Sequence, residues 1–173
     1  MSIPAIPEKI ADFNVYKKGT KLIGVTAEVS LPELTQNSET ISGPGILGEI
    51  DAPSIGQFGS LEQTIPFRVL YDDAFSLANP TEGIDLTLRG SIQLLDGEGN
   101  VKFVGMRVVM RGTQKGINLG SMAAGAAMGS EVTLELTYLL IEIDKQNRLE
   151  LDKINSVYKI NGVDVLAKSK ELC

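Results

Sequence analysis

The side chains that could carry chemistry in this chain are few, and their types remove whole classes of reaction. There is no histidine, which takes away the commonest general base and metal ligand. Any triad that depends on an imidazole is therefore impossible. Cys173 is the one cysteine and the last residue, so neither an internal disulfide nor a Cys/His metal spacing can form. Two groups of neighbouring carboxylates exist, Asp72-Asp73 and Asp96 with Glu98. A helix start explains the first and a turn the second. Gly112-Thr113-Gln114-Lys115-Gly116 has the look of a phosphate loop but lacks its glycine spacing and its Lys-Ser/Thr pair. These residues offer no catalytic, cofactor or metal site, and the chain reads as something other than an enzyme.

One constellation remains, and it is made of charge. Arg107, Arg111 and Lys115 all occupy odd positions, so a regular strand would turn them to one side. Between Lys21 and Arg68 there is no Lys or Arg, while Glu28, Glu33, Glu39, Glu49, Asp51 and Glu62 supply six negative charges, equal to the net charge of −6. The basic stripe is either a solvated strand face or a surface that meets this acidic segment, Glu49 and Asp51 included, on a neighbouring copy. The acidic balance is against a protein that works by neutralising phosphates.

The elements that must position these residues are mostly strands. Even positions from 84 to 94 are Ile84, Leu86, Leu88, Gly90, Ile92 and Leu94, with polar residues between them. This predicts a long strand with one apolar face. Asp96-Gly97-Glu98-Gly99-Asn100 makes the turn, and 101–115 returns with a bulge expected near Phe103-Val104. A second alternation runs through Val132, Leu134, Leu136, Tyr138 and Leu140, and its phase changes around 139–141. Lys145 to Arg148 is a turn, 149–160 a less regular final strand, and Asn161-Gly162 another turn signal. Residues 163–172 have room for a short C-terminal helix.

Earlier in the chain, 13–16 and 21–25 flank a hairpin turn at 17–20, and 61–67 reads as a strand. Leu70, Ala74 and Leu77 repeat at helical spacing, which predicts an internal helix over 69–78, stopped by Asn79-Pro80. Residues 35–59 hold five glycines and two prolines and read as a long irregular loop, a feature usually tied to function. The uncharged tract 120–130 is a connector or a packed interface segment, and eleven residues are too few to span a membrane. The start of the chain lacks the basic and apolar regions of a secretory signal. The expectation is one domain, 1–173, mainly β: a small antiparallel barrel or sandwich, made in the cytoplasm and without membrane anchoring.

Three segments in order, VTAEVSLPELT (25–35), VVMRGTQK (108–115) and INGVDVL (160–166), resemble the major tail tube protein family of contractile-tailed bacteriophages. Phage-tail-like bacteriocins use similar proteins. The resemblance implies a small β-barrel-like fold with one helix, hexameric rings whose inner sheets join, and rings stacked into a tube. It implies as partners other copies of the chain, a tail sheath protein, and DNA passing through the lumen without specific binding. It implies no cofactor, and a place in a virion tail or tail-like particle. By the same resemblance the 35–59 segment reaches an adjacent subunit or ring, while the small-residue tract at 120–130 departs from the more polar connector expected there. Two other readings stay open: the tube of a related secretion system, and a monomeric β-barrel that encloses an apolar ligand.

Overall fold

The computed structural model describes residues 4–173, and its architecture grows from the alternation in the second half of the chain. β6 (Ile84–Leu95), β7 (Val101–Asn118) and β8 (Ser130–Ile143) pair antiparallel in that order. Ile84, Leu86 and Leu88 join Val108 and Met110 of β7 and Val132, Leu134 and Leu136 of β8 in one buried cluster. β1 (Ile6–Lys17) lies on the other side of β6, with β2 (Thr20–Lys21) turned back against its end. β9 (Gln146–Asp152), β10 (Val157–Ile160) and β11 (Val163–Asp164) continue the sheet, giving the path β11-β10-β9-β8-β7-β6-β1-β2.

β5 (Glu62–Phe67) pairs with the first half of β8, while β9 takes the second half. A bridge between Val25 and Phe67 ties the 22–26 segment to β5. The Thr26 N–H donates to Pro66 O at 3.1 Å and the Arg68 N–H to Gly24 O at 2.8 Å. Leu22, Leu61, Ile65 and Phe67 thereby close over the sheet and bury its apolar face. The strand path does not close on itself, so the mainly β fold is sandwich-like rather than a sealed barrel.

Several elements differ from the sequence expectation. No bulge occurs at Phe103-Val104, because the β6–β7 register runs unbroken from Ile84↔Gly112 to Leu95↔Val101. Phe103 sits opposite Gln93 and is exposed, where no core dictates which side an apolar residue takes. The shifts fall instead between β7 and β8, at Arg111/Gly112 and at Gln114/Gly116. The first skips Thr137, so the buried residues of β8 change from Leu134 and Leu136 to Leu139. That is the phase change expected at 139–141, placed slightly earlier. A Cβ on Gly112 would strike the Glu135 carbonyl oxygen, so only glycine allows the strands to approach there.

The internal helix is short: α1 (Asp72–Phe75) has four residues. Asp72 and Asp73 do open it and Ala74 and Leu77 do reach the core. However, the Asp73 carboxylate accepts the Ile23 N–H at 2.6 Å, and Ser76 Oγ donates to Asp73 O at 2.6 Å. The Ser76 bond is local and competes with the helix ladder, whereas the Ile23 bond ties the first turn to the segment after β2. Residues 149–160 are two strands, because the Asp152 carboxylate accepts the Ile154 and Asn155 N–H groups at 3.0 Å and turns the chain. Asn161-Gly162 joins β10 to β11, and the terminal helix α2 (Ala167–Leu172) is correspondingly shorter than 163–172.

The largest difference is at 35–59. Instead of an irregular loop, β3 (Gln36–Ile41) and β4 (Ile50–Phe58) form an antiparallel hairpin that pairs with no other strand. At its base, Phe58 meets the Tyr158 ring edge-on at 5.0 Å, and Gly56 packs against the Leu166 side chain. The tip carries Gly43, Gly45 and Gly48, all with positive φ. With no core beneath it, the hairpin shows no simple alternation in sequence.

Candidate functional site

The basic stripe forms on one face of β7, and each of its cations holds an acid of the same chain. Arg107 Nη2 lies 2.7 Å from Glu142 Oε2, its cross-strand neighbour. Arg111 Nε lies 3.1 Å from Asp85 Oδ2, and its guanidinium stacks 4.7 Å from the centre of the Tyr138 ring. Lys115 Nζ contacts Glu62 and lies 3.4 Å from Glu135 Oε2. Glu62 is one of the six acids of the Lys/Arg-free segment, so one contact between stripe and segment is made inside a single copy. Asp85, Glu142 and Glu135 escaped the sequence analysis because cross-strand pairing needs the register, which alternation alone does not supply.

The three cations of the stripe are each paired with a carboxylate. The hydrogen bond from Lys115 to Glu62 holds the ammonium above its usual range. The Glu135 carboxyl is held below its usual range, first by the Ser60 hydroxyl at 2.6 Å and also by the Leu61 N–H and Lys115. Burial pushes the Tyr138 phenol up, and Glu150 adds to that shift. Pairs this exposed contribute little to stability and are screened by salt. Arg89, opposite Arg107 on β6, stacks instead over the Tyr16 ring at 5.2 Å and has no acid partner among the described residues.

The remaining candidate carboxylates act locally. Asp96 accepts the Asn100 N–H at 2.8 Å and the Glu98 N–H at 3.0 Å. The Asn100 bond, then Lys102, lowers its carboxyl to about 2. Asp72-Asp73 serve α1. Among the described residues no group of three His, Cys, Asp or Glu side chains could hold a metal ion. Cys173 is exposed. The 120–130 tract folds into a closed connector, in which the Ser121 N–H donates to Met128 O at 2.9 Å and the Met128 N–H to Arg68 O at 2.7 Å. Among the described residues, no helix is long and apolar enough to cross a membrane.

Glu49 and Asp51 stand on the hairpin, exposed, and neither pairs with a cation of the stripe among the described residues. Asp51 accepts only the Thr40 hydroxyl, at 2.7 Å. Around them Ile41, Leu47, Ile50 and Ile55 are also exposed, Leu47 completely. A second apolar feature lies beside β1. It is an open groove of about 780 Å³ between β1 and the 22–31 segment, lined by Ile10, Phe13, Leu22, Val25, Val29 and Met106 among others. Sequence reading missed it because the groove exists only where β2 ends and the chain lifts away from β1.

The profile of the phage tail tube protein FII family matches residues 7–172. The tail tube protein of Escherichia phage P2 is 31% identical over 171 residues, 96% of each chain. The major tail tube protein of Serratia phage KSP20 is 29% identical over 158 residues, covering 91% of this chain and 90% of its own. A solved chain from the six-fold symmetrised baseplate of the anti-feeding prophage overlays with a TM-score of 0.45 and 14% identity, covering 83% of this chain and 97% of that one.

Proposed function

This chain belongs to the phage tail tube protein FII family, and on that premise we propose that it builds the inner tube of a contractile tail. The observation that carries this reading is a family match spanning nearly the whole chain. The resemblance of the 25–35, 108–115 and 160–166 segments thus extends over the full fold. The protein is a structural subunit and a tail component. Its proposed partners are further copies of itself in hexameric rings, stacked into a tube, with a sheath protein outside. DNA passes through the lumen without being bound, and assembly takes place in the bacterial cytoplasm.

The physical chemistry of the chain supports these roles. A chain with a net charge of −6 offers phosphates little to adhere to, so a polyanion slides past rather than binds. A hairpin anchored to its own chain at its base, with an exposed tip, suits contact with another copy. We place Glu49 and Asp51 at such a subunit boundary, and the Arg107–Lys115 stripe on a surface shared between neighbouring copies. No catalytic role is assigned to any residue. Sedimentation velocity across a wide concentration range tests the reading. The protein should shift from small species to complexes of ring mass and larger, whereas a single monomer boundary throughout would overturn it.

A further inference from the structure

One stretch of the chain is fixed at both ends and almost free between them. At its start the Thr26 N–H donates to Pro66 O at 3.1 Å, beside the bridge between Val25 and Phe67. At its end the Gly59 N–H donates to Thr35 O at 3.4 Å. Among the described residues, no backbone N–H from 27 to 34 donates a hydrogen bond. Glu28 O accepts the Thr26 hydroxyl at 3.0 Å, a bond between near neighbours that does not reach the sheet. Ser30 O accepts Gln63 Nε2 at 2.8 Å, and this bond alone ties the middle of the stretch to β5. Val29 and Leu34 pack partly against the core, while Glu28, Ser30, Leu31 and Glu33 are exposed.

Gln63 is an unexpected residue to carry that bond. It holds a core position of β5, in the row Leu61, Gln63, Ile65 and Phe67, and is completely buried. Its amide nitrogen donates to Ser30 O and to Thr64 O, each at 2.8 Å. Its Oε1 has no partner among the described residues. A buried acceptor without a donor is costly, and an apolar side chain of the same shape avoids that cost. The fold therefore keeps at this position a residue that stability alone does not favour, and what the residue adds is a hold on an exposed segment. That segment is also the outer wall of the apolar groove. Ala27, Glu28, Val29 and Leu31 line it together with Ile10 and Phe13 of β1, so any displacement of the segment changes the width of the groove.

We propose that residues 27–34 form a strap that opens as a unit from the groove beside β1, with Gln63 as its latch. The structure shows the latched position. When the Ser30 bond breaks, water reaches both Ser30 O and Gln63, and it supplies the donor that Oε1 lacks in the latched position. Opening breaks no bond of the sheet and leaves both fixed ends in place. It gives up the partial packing of Val29 and Leu34 and widens the groove. Local openings of this kind lie far below the free energy of global unfolding. The device belongs to a single copy and does not depend on the tube reading.

Thiol labelling of the full chain in a Cys173→Ser background tests the latch. Leu34→Cys places a single thiol on the packed side of the strap, and Leu136→Cys places one in the sheet core. The Leu34→Cys thiol should react at least about a hundredfold faster than the Leu136→Cys thiol. Low urea should not change its rate, because opening exposes little surface. Gln63→Met keeps the length of the side chain and removes its donors. It should speed labelling at the strap about tenfold and leave the core probe unchanged or slower. That split marks a latch, since a bond with only a structural role would protect both probes. Equal rates with equal urea dependence at the two positions would overturn the proposal, and so would a strap rate that Gln63→Met does not move. Equal acceleration of both probes would make Gln63 a core residue and no latch. The urea comparison needs no change at Gln63, so it decides the point even where Gln63→Met folds poorly.

Discussion

At the scale of single residues, the positions that matter most are those where geometry leaves no alternative. Gly112 lies where β7 and β8 shift register and its missing side chain makes room for the Glu135 carbonyl. Gly112→Ala should destabilise the fold by about 2–3 kcal/mol, read from chemical denaturation; a loss near zero would mean that the strands separate without cost. Asp96 holds the β6–β7 turn through backbone N–H groups. Its carboxyl falls from 3.8 to about 2 on folding, so its stabilisation is complete above the unfolded value and is lost as pH falls through about 2. A carboxyl NMR titration should find Asp96 ionised at pH 3, and a midpoint near 3.8 would contradict the turn geometry. Cys173→Ser should change neither folding nor assembly, as the residue is exposed at the chain end. The helix start at Asp72 and the turn at Asp96 were legible because both are local, while the Asp73 bond to Ile23 was not. Glu142 and Asp85 were not, because their partners are fixed by strand register.

Elements were legible in proportion to how much core lies beneath them. The first halves of β6 and β8 alternate cleanly, since Ile84, Leu86 and Leu88, and Val132, Leu134 and Leu136, are sealed in the buried cluster. The hairpin at 36–58 has no such layer, and its glycines and Pro53 hid two strands inside what reads as a loop. The split of 149–160 was likewise invisible until Asp152 was seen to cap a turn with its own side chain. Because β3 and β4 hydrogen-bond only to each other, the hairpin should be separable from folding. Replacing 38–54 with a short Gly/Ser linker, which spares Gly56 and Phe58, should preserve the β-sheet circular dichroism and the cooperative unfolding transition. Ring and tube formation should be lost. An unfolded product would place the hairpin in the core after all, and unchanged assembly would remove it from the boundary.

At the scale of the whole molecule, the lack of histidine removed imidazole chemistry and the acidic balance spoke against phosphate neutralisation before any strand was placed. The family match across residues 7–172 then supplied the identity of the assembly. What the sequence could not carry was the groove bounded by β1 and the 22–31 segment, which is a property of the folded chain. The central claim is that copies of this protein stack into a tube. Negative-stain electron microscopy of the purified protein at increasing concentration tests it most directly. The account predicts ring-shaped particles with sixfold symmetry that lengthen into hollow tubes, while fields of featureless monomers at every concentration would contradict it.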